Sequence, residues 1–423
     1  MEKIIPSVKG TRDFYPEEMA VRLWLYDQIK TVSQSFGYQE YEGPILEKID
    51  LYAAKSGEEL VKEQAFVFPD RSGELITLRP ELTPTVARMV AQRQKQLTYP
   101  VRWWSFGPFW RYEKPQKGRT REFFQWNIDI FGVNSAESDA ELIAIAAAFF
   151  KQVGLSAHQV GIFLNDRRLM DQELQRLDLV DPAKKKAVFR LIDRRDKLRP
   201  DEWQAFAVQE IGLSENQFEQ LKSLLDDENL WKKSPELTRV FQLLTAMGLG
   251  DYLHYSPEVI RGLEYYTGTV FEARDMDREG RAILGGGHYD NLVSDVGGDP
   301  LPGVGFAMGD VMVGLVLKKY GCIPELSLMP ANVLVTVFSA ELMEKSFSAA
   351  NYLREAGIPT ICFTEAVKLP KQFKYADRIG SRFVVVIGPD EAANGQVTLK
   401  DLSKGEQRTI EMDRLAEEIR HSQ

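Results

Sequence analysis

Apolar residues recur at helical spacing through EEMAVRLWLYDQIKTVSQSFG, at Val21, Leu23, Leu25, Ile29, Val32 and Phe36, which predicts an amphipathic helix ended by Gly37. The stretch YQEYEGPILE then reads as a strand stopped by Pro44, since proline cannot donate to a sheet ladder. GELITLRPELTPTVARMVAQ predicts a strand followed by a helix, with Thr83 as the N-cap and Pro84 in the first helical position. VRWWSFGPFWRYE and EFFQWNIDIFG are strand-like runs separated by the basic segment KPQKGRTR, a spacing that predicts an antiparallel pair with a long loop. In the second run a period of two sets Gln125, Asn127 and Asp129 on one face and Trp126, Ile128 and Ile130 on the other. Such a polar row is ordinarily solvated. Here it has company, because RGLEYYTGTVFE (261–272) places Glu264 and Tyr266 on one side of another expected strand.

From residue 167 to about 245 the chain turns charged, rich in leucine and lysine, and helical in period, which predicts an inserted helical subdomain. GCIPELSLMPA (321–331) carries two prolines and reads as a linker. Beyond it the pattern alternates: NVLVTVFS strand, a helix through NYLREAG, IPTICF strand, a helix after Pro370, RFVVVIG strand, and QVTLKD after an Asn-Gly turn. That order predicts an α/β module. The expected domains are therefore 1–325, with its helical insertion, and 331–423.

At 423 residues the chain is long enough for two or three cores, and its 44% hydrophobic and 27% charged content is that of an ordinary globular protein. The longest apolar window, Leu142–Phe150, falls far short of the ~20 residues a spanning helix needs, so no membrane partner is expected. MEKIIPSVKGTRDF lacks the apolar stretch of a secretion signal, and a cytoplasmic location is expected. Two cysteines forty residues apart and four scattered histidines support neither a disulfide framework nor a protein-held metal. The net charge of −9 requires any nucleic-acid partner to be met by local basic patches. Two exist: RYEKPQKGRTR (111–121) and KLPKQFKYADRIGSR (368–382), each with five positive residues and one negative. A P-loop and a serine nucleophile elbow are absent; GVGFAMG (303–309) misses the dinucleotide fingerprint by the place of its third glycine.

Taken together, these motifs resemble the histidyl-tRNA synthetase family of class II aminoacyl-tRNA synthetases, across nearly the whole chain. FGYQEYEGPILE is similar to the first class II motif, FWRYEKPQKGRTREFFQWNIDIFG to the second, RGLEYYTGTVFE to the histidine-specific signature and ILGGGHYDNLV to its companion. AGIPTICF, KLPKQFKYADRIGSRFVVVIG and ANGQVTLKDL are similar to the family's anticodon-binding domain. The resemblance implies an α+β fold: an antiparallel-sheet catalytic domain with a helical insertion, plus a C-terminal α/β anticodon-binding domain, in a homodimer built on the first motif.

It also implies a ligase that activates histidine with ATP and Mg²⁺ (the metal carried on the substrate) and passes the histidyl group to its tRNA. The resemblance makes Arg261 and Arg111 the catalytic cations on the phosphates, with Glu113 near the nucleotide. Asp129 and Tyr266 become the imidazole readers; Glu81, Thr83, Gln125 and Tyr289 hold the amino acid's backbone, and Tyr265 packs beside them. Gln116, Lys117 and Arg119 in the second-motif loop, and Lys371, Lys374 and Arg378 in the tail, become tRNA contacts. Two positions depart from the family: His288 stands where arginine is usual in GGGRYD, and Met312 where the third-motif arginine is usual. The absent arginine keeps a rival in view, a catalytically silent regulatory subunit of ATP phosphoribosyltransferase. The signature, the basic loop and the tail favour the ligase, because a histidine sensor has little use for tRNA contacts.

Overall fold

The computed structural model describes residues 4–53, 60–114, 116, 118–195, 198–260, 265–277 and 281–422. They form two compact units, Met1–Pro324 and Glu325–Gln423, which divide within the proline-bearing segment 321–331.

The first unit carries strands β1 (Gln39–Glu40), β2 (Leu46–Lys48), β3 (Phe66–Pro69), β4 (Leu75–Leu78), β5 (Val101–Trp110) and β6 (Glu122–Phe131). They are followed by β7 (Val160–Asp166), β8 (Leu253–Tyr255), β9 (Thr269–Asp275), β10 (Leu284–Tyr289) and β11 (Gly303–Gly309). Among the described residues, eight of these build one sheet in the order β1-β5-β6-β11-β10-β9-β7-β8. Its pairs are antiparallel except β1 with β5 and β7 with β8. The remaining three form a small sheet in the order β2-β4-β3.

Strand parity explains how the main sheet is covered. Trp126, Ile128 and Ile130 are almost wholly buried, and helix Ala136–Gln152 lies over them, with the Trp126 and Phe149 rings 5.5 Å apart. Ser135 caps this helix by accepting from the Ser138 amide, and its run of alanine, isoleucine and phenylalanine suits burial on nearly every side. The opposite face of β6 is left for Gln125, Asn127 and Asp129. Helices Arg167–Arg176, Pro182–Asp193, Pro200–Ala205, Glu215–Leu225 and Pro235–Ala246 occupy the chain between β7 and β8, as the leucine- and lysine-rich pattern predicts.

Three expectations shift. The first helix spans Pro16–Ser35 and buries Leu25, Ile29 and Val32, but Leu23 points outward at 54% exposure. Thr83 is not an N-cap: the helix Thr83–Arg93 begins on it, and Leu82 precedes it without a side-chain cap. Pro84, which has no amide hydrogen to satisfy, still sits in the first turn. Tyr266 is not on a strand, since β9 starts at Thr269; Tyr265 and Tyr266 lie in the turn leading into it.

In the second unit, β12 (Val333–Val335) lies parallel between β13 (Thr360–Cys362) and β14 (Phe383–Val386). Antiparallel β15 (Gln396–Asp401) and β16 (Glu406–Glu411) extend the sheet. Helix Leu369–Arg378 buries Gln372 and Ala376 and leaves Lys371, Lys374, Tyr375 and Arg378 exposed. The buried amide of Gln372 serves the backbone, accepting from Val337 N and donating to the carbonyls of Val337 and Val367. That bonding fixes which face of the helix looks outward.

The parity of β6 is open to test. Trp126→Ala removes a fully buried ring and should cost about 3–5 kcal/mol, whereas Gln125→Ala on the other face should stay within about 0.5 kcal/mol. Chemical denaturation of both variants checks this, and equal losses would contradict the assigned faces.

Candidate active site

The polar row on β6 lies inside a site, away from bulk solvent. Asp129 and Asn127 are each 3% exposed, and Gln125 is half-buried. At ~3.3 Å per residue, the four steps from Gln125 to Asp129 span about 13 Å. The two ends of the row belong to different chemistry.

At the Asp129 end the environment is dry and phenolic. Tyr289 donates its hydroxyl to Asp129 Oδ1 at 2.7 Å. Burial pushes the Asp129 carboxyl up to about 7, against the opposing pull of that hydrogen bond. Burial first, and then the adjacent carboxylate, hold the Tyr289 phenol well above its ordinary value, so it remains a donor. The carboxylate has room because Gly305 faces it across the ladder: a Cβ there would collide with Asp129 Oδ1 and with the Ile128 carbonyl. Around this pair the Tyr265 and Tyr266 rings lie 4.8 Å apart, and Tyr265 sits 6.1 Å from Tyr289 in an edge-on arrangement. Tyr265 donates to Glu81 Oε2 at 3.4 Å. Thr83 is half-buried at the start of its helix, two residues past Glu81.

Asp129, Tyr289, Tyr265, Tyr266 and Glu81 are thereby brought together as the sequence motifs imply. Sequence reasoning missed Tyr41. Burial and the Asp129 charge raise its phenol well above its ordinary value, and its buried hydroxyl has no hydrogen-bond partner among the described residues. The amide nitrogen of buried Asn127 is likewise unpartnered among the described residues. Donors left in this state cost free energy unless a ligand meets them.

At the Gln125 end a cleft of about 200 Å³ opens, floored by Gly285, Ala307 and Gly309 and walled by Phe123 and Met312. Three arginines line it: Arg111, Arg119 and Arg281. Arg111 is held by a hydrogen bond from its Nε to the Pro80 carbonyl at 2.9 Å, and its guanidinium lies 5.5 Å from the Phe123 ring. Arg119 pairs with Glu113, which also lines the cleft. Gln116 and Arg119 close the tip of the β5–β6 loop through reciprocal backbone bonds of 3.1 and 2.8 Å. Arg261, Glu264 and Lys117 lie outside the described residues.

His288 fills its position by a different route from an arginine. It is 1% exposed, with Nδ1 2.9 Å from Asp139 on the covering helix and Nε2 3.2 Å from Asp290. Burial opposes the charge, but the two carboxylates prevail and raise its pKa above the ordinary imidazole value. The bridge fastens β10 to helix Ala136–Gln152 next to Tyr289.

A mostly antiparallel sheet with a charged cleft on one face, a helix against the other and an arginine-bearing second-motif hairpin defines the catalytic unit of a class II aminoacyl-tRNA synthetase. Residues 10–311 match the family model for histidyl-tRNA synthetase, and residues 332–422 match the one for the anticodon binding domain. The chain is 37% identical, over 96% of its length and 85% of the other's, to the chloroplastic/mitochondrial histidine–tRNA ligase of Arabidopsis thaliana. It is 34% identical to the histidine–tRNA ligase of Leptospira biflexa, covering 98% of this chain and 97% of that one. The crystal structure of histidyl-tRNA synthetase from Nostoc sp. PCC 7120 superposes with a TM-score of 0.78 at 27% identity, covering all of both chains. This protein belongs to the histidyl-tRNA synthetase family.

Asp129→Asn should raise KM for histidine about 10- to 150-fold, the loss of a charge-assisted hydrogen bond worth roughly 1.5–3 kcal/mol; an unchanged KM would remove Asp129 from the pocket. The same variant carries a pH signature. The folded protein keeps the Asp129 proton up to about pH 7, whereas an unfolded aspartate releases it near 4. The folded state therefore binds more protons in that window, and this group's contribution to stability falls as pH rises from about 4 to about 7. Asp129→Asn removes that slope. Denaturation midpoints should thus shift in the variant's favour between about pH 5 and about pH 7.5, and a pH-independent difference would contradict the raised pKa.

Proposed function

We propose that this chain is a histidine–tRNA ligase, dependent on ATP and Mg²⁺, in which histidine lies along the β6 row and ATP in the arginine-lined cleft. The observation that carries this reading is the row itself. Asp129, Asn127 and Gln125 connect a buried carboxylate–phenol pocket to a cationic cleft on one strand face. An imidazole demands partners for two ring nitrogens, which the carboxylate and phenols can supply. The triphosphate demands cations, and Mg²⁺ arrives bound to it.

The first step joins the histidine carboxylate to the α-phosphate of ATP and expels pyrophosphate. The second passes the histidyl group from that adenylate to a ribose hydroxyl of the tRNA terminus and releases AMP. No covalent enzyme nucleophile is required. Catalysis rests on alignment and on positive charge where the transition state spreads negative charge. Arg111 suits this because its Nε is anchored to Pro80, which leaves the rest of its fork for phosphate oxygens. Arg261 is assigned the same task by its place in RGLEYYTGTVFE. Tyr266 joins Asp129 at the imidazole with Tyr265 packed beside it, and Glu81, Thr83 and Gln125 hold the amino acid's backbone. Tyr289, which the motif assigns to that backbone, donates its hydroxyl to Asp129 and is therefore placed at the imidazole instead.

The cationic face of helix Leu369–Arg378 meets the tRNA from the second unit, and Gln116 and Lys117 meet it from the first. Arg119, which the motif assigns to the tRNA, lines the cleft beside Glu113 and faces ATP instead. None of Lys371, Lys374 and Arg378 has an ion pair among the described residues, as suits phosphate binding. A second copy of the chain covers the small sheet, where Ile45, Leu46, Val67, Phe68 and Leu75 leave apolar surface exposed. Among the described residues no helix is long and apolar enough to cross a membrane, and the cytoplasm, where tRNA is charged, is the proposed location.

Purified protein with Mg²⁺ should exchange pyrophosphate into ATP when histidine is present and not without it. Histidine binding with no exchange would support the regulatory-subunit reading that Met312 leaves open. Replacing Lys371, Lys374 and Arg378 by alanine should leave that exchange intact. It should reduce the slope of log affinity for tRNA against log salt by roughly 0.7–0.9 for each phosphate the helix no longer neutralises; an unchanged slope would make the face merely solvated.

A further inference from the structure

Position 312, at the head of helix Asp310–Lys319, projects a thioether into the nucleotide cleft where the family resemblance leads one to expect an arginine. Met312 is pressed against the second-motif loop so closely that a Cβ on Gly118 would collide with its sulfur. It therefore supplies an apolar, polarizable wall on the same cleft that Phe123 lines, a suitable surface for a flat heteroaromatic base. It supplies no charge.

Among the described residues, the cleft's three arginines are not equivalent. Arg111 is tethered to the Pro80 carbonyl, and Arg119 is paired with Glu113. Arg281, just ahead of β10, has no hydrogen bond or ion pair with another described residue, yet its side chain lines the cleft together with Met312 and Arg119. Its side chain is exposed at the cleft's edge, where the desolvation it does suffer and then the positive charge of Arg119 lower its pKa, with Glu113 in partial opposition. Two guanidiniums held within each other's field repel, and a polyanion placed between them relieves that repulsion. A lone monophosphate already facing Arg111 would leave Arg281 unmet, whereas a triphosphate extends further along the cleft.

We infer that Arg281 binds the outer phosphates of ATP, and the pyrophosphate they become, thereby supplying from the β10 side the charge that position 312 lacks. This rests on the ligase reading for its catalytic consequence, but the binding claim stands apart from it. Met312 and Arg281 form a complementary exchange: the base keeps an apolar wall, and the cation approaches from a neighbouring strand. Sequence position alone conceals this, because the two residues are thirty-one apart in the chain.

The test uses the full chain and compares ATP with AMP by calorimetric titration, alongside histidine-dependent pyrophosphate exchange. Arg281→Ala should weaken ATP binding about 10- to 150-fold, the loss expected of a charge-assisted hydrogen bond, while leaving AMP and histidine affinity within about twofold. KM for ATP and pyrophosphate should rise together in the exchange reaction, with KM for histidine unmoved. Arg281→Lys should rescue only in part, because a point charge does not reproduce the fork. Adding Met312→Arg to the alanine variant should restore most of the lost ATP affinity. ATP and AMP affinities that stay unchanged in Arg281→Ala, or that fall equally, would overturn the inference. If wild-type protein discriminates ATP from AMP through Arg281 but never exchanges pyrophosphate, the inference stands and the ligase reading fails. If exchange proceeds normally in the variant, the ligase reading stands and the inference fails.

Discussion

The hydrogen bond from Tyr289 to Asp129 is the constraint on which the site depends. It joins side chains of β6 and β10 across β11, and it exists because Gly305 leaves room for a carboxylate between them. A buried acid with a pKa of about 7 is costly unless something meets its charge. One phenol meets it only in part. The remainder of the acid's demand is what a ring N–H can satisfy, while the unpartnered Tyr41 hydroxyl and Asn127 amide nitrogen are donors that call for acceptor atoms on the ligand. Specificity in such a pocket comes from the penalty of leaving these groups unpaired.

The surrounding fold holds that geometry still. Trp126 and its neighbours lock the reverse side of β6 beneath helix Ala136–Gln152, and the Asp139–His288 bridge fastens the same helix to β10 beside Tyr289. Arginine at position 288 would bring a permanent charge and a longer reach. Histidine achieves the connection with a charge that burial opposes and two carboxylates sustain. Asp310 contributes comparably at the cleft: it accepts from the Phe124 amide at 2.8 Å and pairs with Arg12 at 2.7 Å, tying the helix that carries Met312 to β6.

Much of this could be read from residue order. The two-residue period of EFFQWNIDIF separates core from site, because a strand offers only two faces and tryptophan and isoleucine must occupy the dry one. The β5–β6 hairpin, the helical insertion and the tail's alternation follow from equally strong periodicities. Local boundaries were less legible. Thr83 has the chemistry of a cap and Pro84 that of a first helical residue, yet the helix opens at Thr83, because tertiary packing outweighs a cap worth about 1 kcal/mol. Tyr266 resembles a strand residue in its run, but the backbone enters the ladder only at Thr269. Tyr41 and Arg281 were illegible for another reason: each acquires its role from residues distant in sequence, and a single tyrosine or arginine carries no periodic signal. The family resemblance exposed the missing charge at Met312, but only the folded cleft brings Arg281 into the same lining.

The central claim is that a buried carboxylate and phenol select the imidazole before chemistry begins. Its most direct test is pyrophosphate exchange driven by histidine compared with thienylalanine, a ring of similar size that offers no N–H. Histidine should be preferred in kcat/KM by roughly 10⁴-fold, since the analogue leaves the Asp129 pair unmet. A preference below about tenfold, no more than a hydrophobic pocket provides, would contradict the account.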